Sequence, residues 1–171
     1  MRSTIYWIEA PTNGRLGIMA RPRSGDWLND EIAGWEAAGI NTVVCLLEHD
    51  EVNELGLGEE EELCRRHGIA FISFPIPDRG VPEAEGETEI FARNIALKLK
   101  NSTTIAIHCR AGIGRSSLIA ACVLVCSGFD ADSAFDVISK ARGVKVPDTD
   151  EQRGWVTRFE KSHEKVTPTV R

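Results

Sequence analysis

Three short apolar runs constrain the fold of this chain more than any other feature. They are Ile40-Asn41-Thr42-Val43-Val44-Cys45-Leu46-Leu47, Ile69-Ala70-Phe71-Ile72-Ser73-Phe74 and Thr104-Ile105-Ala106-Ile107-His108. Each is β-branched and of strand length, and reads as a strand covered on both faces. Helical segments separate them: Asp30 to Ala38 closed by Gly39, Glu59 to His67 closed by Gly68, and Glu85 to Lys100. Strands alternating with helices of crossover length give right-handed βαβ units and a mostly parallel sheet. Beyond the third run only helices are predicted, at Ser116 to Ser127, Asp130 to Arg142 and Asp150 to about Lys165. Ile5 to Ile8 and Leu16 to Met19 are expected as edge strands. The predicted architecture is therefore an α/β three-layer sandwich, with a mostly parallel sheet of about five strands flanked by helices. Such sheets bind ligands beyond the carboxyl ends of their strands, where loops enter helix N-termini, and His108 to Ser116 is a loop of that kind.

A chain of 171 residues with 42% apolar side chains can fill one such core, so a single domain over residues 1–171 is expected. Twenty Lys and Arg against 26 Asp and Glu leave a net charge of −6, which argues against nucleic acid or anionic membrane as partner. The longest apolar run, Leu118 to Cys126, falls well short of the roughly 20 residues a membrane span needs. The N-terminal residues lack the apolar stretch of a secretory signal, and five scattered cysteines read as reduced thiols, so a cytoplasmic monomer is expected. Glu59-Glu60-Glu61-Glu62 reads as a solvated first helical turn, favoured by the helix dipole. Trp7, Trp27, Trp35 and Trp155 are scattered and read as packing anchors. His49, His67 and His163 stand apart from any metal-ligand spacing.

The stretch His108-Cys109-Arg110-Ala111-Gly112-Ile113-Gly114-Arg115-Ser116 sets a thiol at the end of a buried strand and a guanidinium at the start of a helix. Gly112 and Gly114 open backbone conformations closed to other residues, so the N–H groups from Arg110 through Ala111, Gly112, Ile113 and Gly114 to Arg115 can converge on one tetrahedral anion. The helix N-terminus adds positive potential, and Arg115 offers a planar fork to two of the anion's oxygens. The same field lowers the pKa of a thiol, making Cys109 a nucleophile beneath a bound anion. Ser116 can direct its hydroxyl at that sulfur; taken alone it reads equally well as a helix cap. The scheme requires no metal and no cofactor. Gly112-x-Gly114 does not extend to a dinucleotide fingerprint, because Ser117 stands where the third glycine belongs.

A leaving group needs a proton, and Phe74-Pro75-Ile76-Pro77-Asp78-Arg79-Gly80-Val81-Pro82 provides an acid on a shaped loop after a strand. Alone, Asp78 reads as a turn residue. Paired with Cys109 and Arg115 it reads as general acid, then as general base for water.

His108 to Ser116 matches the H-C-x5-R-S signature of cysteine-dependent protein phosphatases, and residues 40–159 resemble the compact dual-specificity group. Pro75-Ile76-Pro77-Asp78-Arg79-Gly80 and Arg115-Ser116-Ser117-Leu118-Ile119-Ala120-Ala121-Cys122 are most similar to the kinase-associated phosphatases. The resemblance implies Cys109 as nucleophile, Arg115 as phosphate ligand, Asp78 as acid and Gln152 as the residue orienting hydrolytic water, although Gln152 also reads as a solvated helix-start residue. It implies that His108 orders the loop, while Arg110 faces either substrate or solvent. The implied substrate is a phosphorylated protein or peptide carrying phosphotyrosine, with phosphoserine and phosphothreonine as further candidates. Phosphoinositide hydrolysis, arsenate reduction and phosphoprotein binding without turnover are the alternatives. Cys45, near the end of a neighbouring strand, is a candidate disulfide partner that would protect Cys109.

Overall fold

The computed structural model describes residues 3–166. In chain order the elements are β1 (Tyr6–Ile8), β2 (Leu16–Ala20), α1 (Leu28–Ala37), β3 (Thr42–Cys45), α2 (His49–Glu54), α3 (Glu60–Arg66), β4 (Ala70–Ser73), α4 (Glu85–Lys100), β5 (Ile105–Cys109), α5 (Arg115–Cys126), α6 (Ala131–Arg142) and α7 (Asp150–Val166). The expected α/β three-layer sandwich is observed. The sheet runs β1-β2-β5-β3-β4, parallel throughout except for the antiparallel β1–β2 pair.

Two expectations about its elements need correction. Leu16–Ala20 is no edge strand: it pairs with β5, and Leu16, Ile18 and Met19 are buried because helices cover both of its faces. The helix α2 was not expected, since His49-Asp50-Glu51-Val52-Asn53-Glu54 carries almost no apolar periodicity. Glu48 N–H donates to Glu51 Oε2 at 3.0 Å, closing its first turn in place of a packed face.

Side chains alternate across each strand and sort the core into two layers. Ile105, Ile107 and Cys109 of β5 face the side covered by α4, α5, α6 and α7. Ala106 of β5, with Val43 and Cys45 of β3, faces α1 and α3. From Arg115 to Val125 every α5 residue is buried, as suits a helix wedged between the sheet and its neighbouring helices. The Asp130 carboxylate caps α6 by accepting from Ser133 N–H at 2.8 Å, and Gly143 ends that helix at φ +76°.

Trp35 and Trp155 are buried packing anchors, but Trp27 is 57% exposed and instead stacks under the Arg23 guanidinium at 4.7 Å. No helix among the described residues is long and apolar enough to cross a membrane.

Candidate active site

The central strand β5 ends in Cys109, and the chain turns at once into α5 at Arg115. Gly112 makes the turn possible. Its φ is +67°, and a Cβ there would stand 2.5 Å from the Met19 carbonyl carbon and 2.6 Å from Ala20 N. The loop therefore rests directly on the backbone of β2. Gly114 has an ordinary φ of −84°, so conformational freedom does not explain it; a Cβ would meet Gln152 at 2.9 Å and Asp148 at 3.0 Å. Arg142, at the end of α6, donates to the Gly112 carbonyl at 2.9 Å and stacks over Tyr6, a brace the sequence did not suggest. Gly112→Ala must displace β2 or the loop and adopt a left-handed φ, so it is expected to cost more than about 1 kcal/mol and to remove oxyanion binding. Thermal melts with and without tungstate check this.

Cys109 is 3% exposed. Burial opposes its ionisation, yet the Ser116 hydroxyl, the N–H groups of Ser116 and Gly112 and the Arg115 charge together hold its pKa below the ordinary thiol value. Ser116 Oγ lies 3.5 Å from the sulfur, and Gly114 takes the N-cap position of α5, so the structure sets Ser116 on the thiol and not on the helix end.

Arg115 is buried in a web of acceptors. Its Nη1 donates to Glu51 Oε2 at 2.6 Å and to the Ile76 carbonyl at 3.0 Å, and its Nη2 donates to Glu51 Oε1 and to Asp78 Oδ1, both at 3.0 Å. Glu51 is the residue that sequence reasoning missed. Although burial opposes its charge, the Arg115 fork and Glu48 N–H bring its pKa down to about 2. It also accepts from Arg110 Nε at 3.2 Å, and Arg110 reaches Glu54 at 3.3 Å. Arg110 thus lies against α2, where its charge is matched by carboxylates.

Asp78 stands half exposed over the site, on a loop tied down at two further points. Gln152, fully buried, donates from Nε2 to the Gly80 carbonyl at 3.0 Å, and Arg79 lies 3.4 Å from Asp148. Gln152 is therefore no solvated helix-start residue. A cavity of about 220 Å³ is lined by Cys109, Arg110, Ala111, Ile113, Gly114 and Arg115 of the turn, with Asp78, Arg79, Asp148 and Gln152 across from it. Every residue expected to act on substrate except Ser116 and Gly112 lines this cavity.

Behind the turn, on the opposite face of the sheet, His108 Nε2 lies 2.7 Å from Glu60 Oε1, with both side chains at most 2% exposed. The acidic run is thus not uniformly solvated: Glu60 points inward while Glu62 pairs with Arg65 and Arg66 at the surface. Cys45, at the end of β3, is the register partner of His108 in β5, so it shares that face, and its donor atom lies within 4.8 Å of those of His108 and Glu60. Zinc ligands at about 2.0–2.1 Å in a tetrahedron stand about 3.3 Å apart, so the 2.7 Å contact is that of a shared proton. The same parity corrects the disulfide expectation. Cys109 faces the other side of the sheet, which keeps Cys45 from reaching it.

Residues 3–158 match the family model described as "Swiss Army Knife protein, DSP-PTPase phosphatase domain". The chain belongs to this dual-specificity phosphatase family. The rat protein named cyclin-dependent kinase inhibitor 3 is 30% identical over 126 residues, or 72% of this chain and 59% of the relative; the human protein of that name is 28% identical over the same shares. The chain thus spans about three fifths of the curated relatives it matches. Among solved structures, a kinase-associated phosphatase whose catalytic-site cysteine is replaced by serine superposes with a TM-score of 0.85 at 22% identity, covering 95% of this chain and 96% of that one. PTPMT1 in complex with PI(5)P superposes at 0.70 with 18% identity, covering 91% and 96%. These neighbours share the fold of the dual-specificity phosphatase domain.

Proposed function

We propose that residues 1–171 form one domain that acts as a metal-independent protein phosphatase on phosphotyrosine, and on phosphoserine and phosphothreonine, through a phosphocysteine intermediate. The observation that carries this reading is that Cys109, Arg115 and Asp78 meet in one cavity, with the Gly112 and Ser116 N–H groups directed at the Cys109 sulfur. A phosphate dianion in the cavity draws the Arg115 fork, and the sulfur attacks phosphorus in line with the departing oxygen. Asp78 gives that oxygen its proton. The sulfur–phosphorus bond then breaks as water attacks, with Asp78 taking the water's proton, Gln152 orienting the water and the Ser116 hydroxyl stabilising the returning thiolate. Five free thiols accord with a cytoplasmic setting.

A protein monophosphate fits this cleft better than a polyphosphorylated headgroup. The rim cations Arg79 and Arg110 are matched by Asp148, Glu51 and Glu54, leaving little excess charge for a second phosphate.

The test is hydrolysis of an aryl phosphate in excess chelator, followed by phosphotyrosine, phosphoserine and phosphothreonine peptides. Turnover sensitive to chelation refutes the metal-independent scheme, and a folded, inactive protein shifts the reading to arsenate reduction or phosphoprotein binding. Asp78→Asn separates the acid's role: kcat should fall about 100-fold or more on a phosphoserine peptide but roughly 10-fold or less on an activated aryl ester, which leaves without a proton. Equal losses on both remove Asp78 from that role.

A further inference from the structure

The buried pair behind the turn has no place in the scheme above. Glu60 enters from α3 and His108 from β5, one residue before the nucleophile, and their 2.7 Å contact is closed to solvent on every side. His108 Nδ1 and Glu60 Oε2 find no hydrogen-bond partner among the described residues, while the Cys45 thiol stands beside the pair and favours the charged imidazole. We propose that Glu60 is a positioning residue for the reaction: it keeps His108 cationic inside the protein, and that cation fixes the strand end presenting Cys109 and favours its thiolate.

The groups around the imidazole allow this. From α3 come Glu60 and Cys64, whose thiol burial and the Glu60 charge push up to about 12, so that it stays neutral. From β3 comes the Cys45 thiol, and from α1 the Trp35 ring, 6.3 Å between centroids. Met19 is the register partner from β2 and carries no charge. Across the sheet lie Cys109 and Arg115. Glu60 is thus the carboxylate in contact with His108. Burial pushes the imidazole toward neutrality, but Glu60 opposite it, with Cys45 contributing, holds its pKa well above the ordinary value. The His108 backbone carries the effect forward. Its carbonyl accepts from Leu46 N–H at 3.0 Å, so a shift of the ring would move the strand end from which the catalytic turn departs.

The inference rests on the phosphatase reading, because a charge beside Cys109 matters only if its thiolate reacts. The decisive measurement is therefore independent of turnover: the pH midpoint of Cys109 alkylation by iodoacetamide, followed by peptide mass spectrometry. In Glu60→Gln the midpoint should rise by about half to one pH unit, with the acid limb of kcat/KM moving alongside and KM changing less than about twofold. Glu60→Gln/His108→Gln replaces the ion pair by a neutral hydrogen-bonded pair and guards against a single variant that fails to fold. It should show the same rise and no more, because the two residues act as one unit. An unmoved midpoint in the folded double variant overturns the proposal. So does equimolar zinc in the purified protein that Cys45→Ser releases, since a cation on the imidazole would displace the shared proton. A moved midpoint without phosphatase turnover would sink the functional reading while leaving Glu60 in its role.

Discussion

Serine in place of Cys109 is expected to lower aryl phosphate turnover by about 10⁴-fold or more while phosphopeptide binding persists. The hydroxyl does not ionise near neutral pH, so the attacking anion is lost. The donors that hold the phosphate are untouched, because Arg115, the Gly112 and Ser116 N–H groups and the helix start do not depend on the sulfur. Removing a thiolate from beneath a dianion also removes a repulsion, so the peptide should bind as tightly as to wild type or tighter. Single-turnover kinetics and calorimetric titration with a phosphotyrosine peptide check both halves. Residual turnover above about one per cent would mean that the phosphoryl group reaches water without passing through Cys109.

The second large effect lies at Glu51. Glu51→Gln removes the bidentate partner of the buried Arg115 guanidinium, leaving the half-exposed Asp78 and the Cys109 sulfur as its anionic neighbours, and should cost about 3 kcal/mol. kcat/KM should fall about 100-fold as the fork loses its fixed orientation. The sign with pH follows from the folded-state pKa of about 2 against the ordinary 4.5. A depressed carboxylate stabilises fully above its unfolded pKa and loses that contribution as pH falls through the folded one. The gap in melting temperature between wild type and variant should therefore narrow as pH drops from about 5 toward 2. Vanadate binds the same Arg115 fork, so once that fork loses its fixed orientation it should raise the variant's melting temperature less than that of wild type. A constant gap across that pH range would show that Glu51 acts through packing and not through its charge.

The turn proposed to be catalytic was legible because its chemistry is local. Cys109, Gly112, Arg115 and Ser116 sit within eight residues, and their types alone specify an anion site. Glu51 and Glu60 were not legible, because carboxylates on short polar helices look solvated until the fold brings a buried cation to them. The placement of β2 was likewise hidden: apolar content marks a strand as buried without naming its neighbours. The facing of Cys45 was recoverable, since strand parity alone puts it with His108 and away from Cys109 once β3 and β5 are paired in register. The short Gly112 φ argument was right in kind, whereas Gly114 answers to Asp148 and, from α7, Gln152, which no local pattern reveals.

The contact between Gly112 and the Met19–Ala20 backbone bears on where the working unit begins. The family signature is readable from residue 40 onward, which invites trimming the chain there. Such a shortened polypeptide would keep every residue of the signature and lose β2, the wall against which the turn is shaped. Strand β5 would become exposed along its Leu16–Ala20 side, with a row of unsatisfied backbone groups next to the reactive thiol. The smallest autonomous unit must therefore extend upstream to include β2, long before any residue proposed to touch phosphate.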